Sequence, residues 1–92
     1  MTNTEFIAAL NQKFNSIGYT FLIEREGIKY TRIVQTSGGS GRSVYCFVDA
    51  SGNIYKAAGW KTPAKGVRST LATVDMDTVD PYGSWLYARA GR

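Results

Sequence analysis

The sequence predicts an α+β fold, with one N-terminal helix packed on a mainly antiparallel sheet of four to five strands. Three features carry that expectation. Phe6, Ile7, Leu10, Phe14 and Ile17 recur at the three-to-four-residue spacing of one helical face. After Gly18 the pattern changes to short runs rich in β-branched and aromatic residues, broken by turn-forming residues. The stretch 44–56, bent at Asp49-Ala50-Ser51-Gly52-Asn53, reads as a hairpin and is the best-specified local structure in the chain.

In chain order, the helix is placed over 4–17. Thr4 or Asn3 caps it, and Gly18 stops it, because glycine takes the left-handed closing conformation without a Cβ penalty. Residues 19–26 read as a strand, Gly27 as a turn and 28–36 as the returning strand. Glu24 and Glu26 alternate onto one face of the first strand, toward solvent. A flexible connector, Thr36-Ser37-Gly38-Gly39-Ser40-Gly41, precedes a third strand over 42–49. Gly52 supplies a positive φ in the next turn, and 53–57 returns as the fourth strand. Past Ala58 the period breaks, and Gly59, Pro63 and Gly66 punctuate a loop over 58–68. Pro63, tolerated at the first position of a helix, is expected to open one helical turn. A short strand over 69–74, an irregular stretch to Pro81 and a closing strand over 84–89 complete the reading. Residues 1–92 thus form a single domain, with a sheet over 19–57, a motif loop over 58–68 and C-terminal strands over 69–89.

Ninety-two residues make one domain with a modest core, and self-association is a common way for such a domain to add buried area. A homo-oligomer is therefore expected, with Tyr82, Trp85 and Tyr87 as core or subunit contacts. With 43% hydrophobic residues the chain is too apolar to be disordered. Cys46 stands alone, which excludes an internal disulfide framework. Within Val44-Tyr45-Cys46-Phe47-Val48 it behaves as a small hydrophobe that keeps its proton, and its reduced state points to the cytoplasm. No apolar run approaches the roughly 20 residues of a membrane span, and the first residues lack a signal-peptide pattern. A soluble protein in the host-cell cytoplasm, without membrane contact, is expected.

The chain has no histidine, which removes the commonest general base near neutral pH and the commonest metal ligand. With a single cysteine, ordinary zinc sites go as well. Asp75, Asp77 and Asp80 lack the glycine and terminal glutamate of a calcium loop, and read as a solvated acidic face. No catalytic residue, metal or cofactor is expected, and the chain reads as a binding protein rather than an enzyme.

Eleven Lys+Arg against seven Asp+Glu give a net charge of +4, which permits an anionic partner without demanding one. Its distribution says more. Lys56, Lys61, Lys65 and Arg68 fall in a stretch with no acid, whereas residues 75–80 carry acids and no base. Gly38-Gly39-Ser40-Gly41-Arg42 lacks the lysine and Ser/Thr ending of a phosphate loop and leads into a strand, so it reads as a connector. Arg42 at its end can still close over an anion. In 56–68, small residues around Trp60 let backbone approach a ligand. Lysines supply mobile charge, Arg68 a planar fork suited to phosphate, and Trp60 a stacking face. A helical turn at Pro63 would add the amides of Ala64, Lys65 and Gly66 as anion donors. The competing reading has Trp60 plugging the core beneath the sheet, with the lysines solvated.

The pattern Lys-x-Ala-x-Trp-Lys-x-Pro-Ala-Lys-Gly-x-Arg over 56–68, preceded by the Phe47-Val48-Asp49-Ala50-Ser51-Gly52-Asn53-Ile54-Tyr55 hairpin, resembles a group of small phage-encoded proteins. The similarity covers about residues 43–71, with a weaker echo at Pro81-Tyr82-Gly83-Ser84-Trp85-Leu86-Tyr87. It implies a phage origin and marks the segment as characteristic, but brings no substrate with it.

The resulting expectation is a binder of a phosphate-bearing ligand, above all a nucleotide, with a captured host defence signal as its sharper form. Trp60 would stack on the base, Lys56, Lys61, Lys65 and Arg68 would meet phosphate, and Arg42 would assist. The same patch could serve DNA or RNA, and the aromatic C-terminal strand could dock on a host protein as an inhibitor or adaptor.

Overall fold

Thr2, rather than Thr4 or Asn3, caps the helix α1 (Asn3–Phe14). Its hydroxyl accepts from the Glu5 amide at 3.1 Å while Glu5 Oε1 accepts from the Thr2 amide at 2.8 Å. Glu5 selects this cap, because only Thr2 has an acid three residues on to complete the reciprocal pair. The computed structural model describes residues 1–38 and 41–86. The α-helix ends at Phe14 and a 3₁₀ turn, Asn15–Ile17, runs on to Gly18, whose φ is 99°. Tighter winding carries Ile17 off the apolar face, so it is exposed while Phe6, Leu10 and Phe14 are buried.

Five antiparallel strands follow in simple succession: β1 (Tyr19–Glu26), β2 (Tyr30–Ser37), β3 (Gly41–Asp49), β4 (Asn53–Tyr55) and β5 (Ser69–Thr70). The fold is therefore α+β, one helix on one sheet. Strand β2 opens at Tyr30 rather than Ile28, because the Gly27 amide donates to the Tyr30 carbonyl at 2.8 Å and closes a tight turn. A Cβ on Gly27 would lie 2.9 Å from that carbonyl oxygen, so only glycine fits. Strands β4 and β5 are shorter than expected, since pairing stops where the chain leaves for its loops.

Register shifts set which side chains share a face. One lies between Ile23 and Arg25 and leaves Glu24 unpaired; the other brings Ile33 opposite Cys46 and Val34 opposite Val44, leaving Tyr45 as the extra residue. Because of the second bulge, the consecutive residues Tyr45 and Cys46 both join the core. There they meet Phe6, Leu10 and Phe14 of α1 together with Phe21, Ile33, Val48 and Ile54.

The stretch expected to close the sheet instead lies over one end of this core. Residues Ser84–Leu86 form a 3₁₀ turn, not a strand. Asp80 Oδ1 accepts from the amides of Tyr82 and Ser84, each at 3.0 Å, and Gly83 takes a φ of 79°, which turns the chain before a strand can start. Tyr45 donates its hydroxyl to the Asp80 carbonyl at 2.6 Å, and Trp85 Nε1 donates to the Tyr45 oxygen at 2.8 Å. Gln35 reaches the Pro81 carbonyl at 2.7 Å. Tyr87 and the rest of the expected strand lie outside the described residues.

Val34 and Phe47 are also buried yet stand apart from that cluster. Each alternates with core-facing neighbours, so both point to the sheet face opposite α1. That second face carries the candidate site.

Candidate functional site

The motif segment leaves β4 and folds back on itself as a small hairpin. Ala57 and Pro63 face each other as an antiparallel bridge. The Ala58 amide donates to the Thr62 carbonyl at 2.9 Å on one side, and the Ala64 amide to the Lys56 carbonyl at 2.7 Å on the other. Pro63 thus occupies a position where the ladder asks for no N–H, and its missing donor costs nothing. This corrects the expected helical turn at Pro63. The Ala64 amide is committed to Lys56, and no helix directs amides at a ligand from this segment.

At the hairpin tip stands Trp60, 45% exposed, so it does not plug the core. Arg32 of β2 donates Nη1 to the Trp60 carbonyl at 2.7 Å, and its guanidinium lies 5.7 Å from the Trp60 ring centre. The Arg42 guanidinium of β3 lies 5.4 Å from the same ring. Glu24, the bulged residue of β1, joins the two arginines: its Oε1 takes Arg32 Nε at 3.2 Å, and its Oε2 pairs with Arg42 Nη2. Glu24 is accordingly part-buried and paired, which corrects its assignment to a solvent-facing strand surface with Glu26. Arg32 is fastened at both ends and only 16% exposed in its side chain, whereas that of Arg42 is 51% exposed.

Two shallow depressions are formed in part by residues of the hairpin tip. One, about 230 Å³, is lined by Arg42, Val44, Ala57, Ala58, Gly59 and Trp60, with Ser43. The other, about 250 Å³, is lined by Arg25, Lys29, Arg32 and Lys61, with Gly27, Tyr30 and the buried Phe47. The structure therefore brings together Trp60, Lys61 and Arg42 of the expected set. It does not bring the others to these depressions. Lys56 is half-buried, its carbonyl accepts from the Ala64 amide, and it lines neither depression. Lys65 is exposed elsewhere. Arg68 gives its amide to the Ile54 carbonyl at 2.7 Å and buries Nε without a hydrogen-bond partner among the described residues.

Arg25, Lys29 and Arg32 were not singled out from sequence, and Glu24 was read only as a solvent-facing residue. Their signal is faint: two cations straddle the first hairpin turn, roughly thirty residues before the motif. Only strand register, which sets Arg32 opposite Phe47, carries them to the Trp60 side.

The remaining reactive side chains are engaged in structure. Burial drives the Cys46 thiol far above its ordinary pKa, so it stays protonated. Burial would also raise Asp49, but hydrogen bonds from the Asn53 amide, the Tyr55 hydroxyl, the Asn53 side chain and the Ser51 amide outweigh it and hold the carboxyl below its usual range. Asp75 accepts from the Asp77 amide at 2.9 Å and Asp80 caps the 3₁₀ turn. Among the described residues, no group of three or more potential metal ligands is found. No helix among them is long and apolar enough to cross a membrane.

Residues 2–88 match the model of a family of unknown function, DUF7717, and the chain belongs to that family. The match takes in α1 and the first hairpin, which fall outside the resemblance legible around the motif. No curated protein and no solved structure matches the chain.

Proposed function

We propose that this member of a family of unknown function is a non-enzymatic binder of a phosphate-bearing ligand, above all a nucleotide, held on the sheet face opposite α1. The observation that carries the reading is the setting of Trp60. A large aromatic ring is left half in water, yet its carbonyl and one guanidinium neighbour are fixed by Arg32, and Arg42 lies beside it. A pre-positioned ring loses little freedom when a planar base stacks on it. The cations around it attract phosphate, and the Arg42 side chain, though paired with Glu24, is half exposed on the side a ligand would approach. With no histidine in the chain and Cys46 buried, binding rather than catalysis is the role these residues suit. The sharper form of the proposal, for a protein of phage origin, is capture of a host nucleotide signal in the cytoplasm by a homo-oligomer.

A thermal-shift panel of mono-, di- and cyclic nucleotides beside a short oligonucleotide tests this, on the wild type and on Trp60→Ala. A saturable rise in Tm that Trp60→Ala abolishes is expected, since a ligand that binds only the folded state stabilises it. A flat response to every compound sinks the reading. Affinity that climbs with oligonucleotide length and collapses with salt assigns the face to nucleic acid instead.

A further inference from the structure

The side chains of Arg25 and Lys61 make no hydrogen bond or ion pair with any described residue, and the Lys29 ammonium meets only the Tyr30 ring, 5.8 Å from its centre. These three line one depression with Arg32, and no carboxylate lines it. The carboxylate that touches its lining is Glu24, on Arg32 Nε. Four cations set against that one acid leave a net charge of three, gathered around about 250 Å³ and paired with nothing in the described residues. Like charges held together on one wall repel one another, and a concave wall focuses their field on the space they enclose.

Resting on the phosphate-ligand reading above, we infer that the depression of Arg25, Lys29, Arg32 and Lys61 seats the phosphates, and that the ligand is a nucleotide carrying at least two phosphoryl groups. A single phosphate monoester brings about −1.5 to −2 of charge, less than the lining offers. The two depressions divide the ligand between them. The Trp60 side, lined by Val44, Ala57, Ala58 and Gly59, gives apolar contact suited to a base. Arg32 bridges the two parts, because its guanidinium lies near the Trp60 ring and the residue also lines the cationic depression. Its bond to the Trp60 carbonyl fixes that ring relative to the phosphate seat. Gly27 and the tight turn it closes hold Lys29 at the rim.

A linear nucleoside diphosphate brings more charge than a monoester, whereas the two phosphodiesters of a cyclic dinucleotide carry one charge each and together match only a monoester, so calorimetric titration is run with each to tell charge from phosphate number. The probes are inorganic pyrophosphate, AMP, the four common nucleoside diphosphates and cyclic di-GMP, against the wild type, Arg25→Gln/Lys29→Gln and Trp60→Ala. At least one two-phosphate nucleotide is expected to bind tenfold or more tighter than AMP. Whichever one binds identifies the source of the phosphates. Arg25→Gln/Lys29→Gln should lose tenfold or more for that ligand and all measurable pyrophosphate binding, with a Tm in the absence of ligand no lower than that of the wild type. Trp60→Ala should lose the nucleotide and keep pyrophosphate. AMP binding as tightly as the two-phosphate compounds overturns the inference. So does a double variant that binds the nucleotide as well as wild type, although the wider reading then survives with its phosphate seat elsewhere. Silence from every nucleotide, in both this titration and the thermal-shift panel, removes the wider reading as well.

Discussion

Asn11 of α1 holds Phe21 of β1 by both of its backbone groups. The Asn11 side chain donates to the Phe21 carbonyl at 2.8 Å and accepts from the Phe21 amide at 2.7 Å. Because β1 is an edge strand, these are groups a neighbouring strand would otherwise take. Asn15 adds a bond to the Tyr19 carbonyl at 2.5 Å. The helix thus both packs on the sheet and closes part of its open edge.

Asn11→Ala removes both bonds from a part-buried pair and should cost about 2 kcal/mol, at about 1 kcal/mol per hydrogen bond. It should also raise self-association, since the Phe21 groups become available to another strand. Urea unfolding and light scattering at several concentrations read the two effects. A variant as stable and as monodisperse as the wild type would show that the pairing contributes nothing.

The two tryptophans should answer substitution in opposite ways. Trp85 packs against the core and donates Nε1 to the Tyr45 hydroxyl at 2.8 Å, so Trp85→Ala should cost about 3 kcal/mol. Trp60 stands at an exposed tip with two guanidinium neighbours, and Trp60→Ala should cost about 1 kcal/mol. Denaturant midpoints compare them directly; equal losses would make Trp60 a structural anchor.

Cys46 is fully buried, with its thiol held protonated. It should therefore react with a disulfide reagent only as fast as the chain unfolds, because the thiolate is the reactive form. The labelling rate, measured across a denaturant series, should follow the unfolding transition. Prompt labelling of the native protein would contradict this placement. Cys46→Ser, which buries a hydroxyl in an apolar core, should cost about 1–3 kcal/mol.

Stability should fall in acid because the Asp49 and Asp80 carboxyls are held below their ordinary range. For Asp80, burial acts upward and is outweighed by hydrogen bonds from the Ser84 side chain and the Ser84 and Tyr82 amides. A depressed carboxyl stabilises the fold above its unfolded pKa of about 3.9, and that share disappears as the pH drops through the folded value. The wild-type Tm should therefore decline between about pH 5 and about pH 2. Asp49→Asn should start lower at neutral pH and decline less over the same range. A parallel decline in both proteins would assign the acid sensitivity to other groups.

The sequence determined the helix and the succession of the first four strands, because these rest on local spacing and turn chemistry. The period of Phe6, Leu10 and Phe14 needs no partner to be read, and the Asp49–Asn53 turn is legible from its own residues. Even the cap at Thr2 was readable, since Glu5 lies three residues away. Whether Pro63 would start a helix or face Ala57 was not, for its φ suits both and the hydrogen bonds of its neighbours decide. Tertiary structure alone settled who stands beside Trp60. Arg32 and Arg42 arrive there by strand register, and Glu24 through a one-residue bulge that resets alternation on β1. Register and bulges depend on which strands pair and on what each face buries, and linear spacing carries neither. The same physics separated Lys65 and Arg68, themselves part of the motif, from the depressions, and drew Arg25 and Lys29 into one of them.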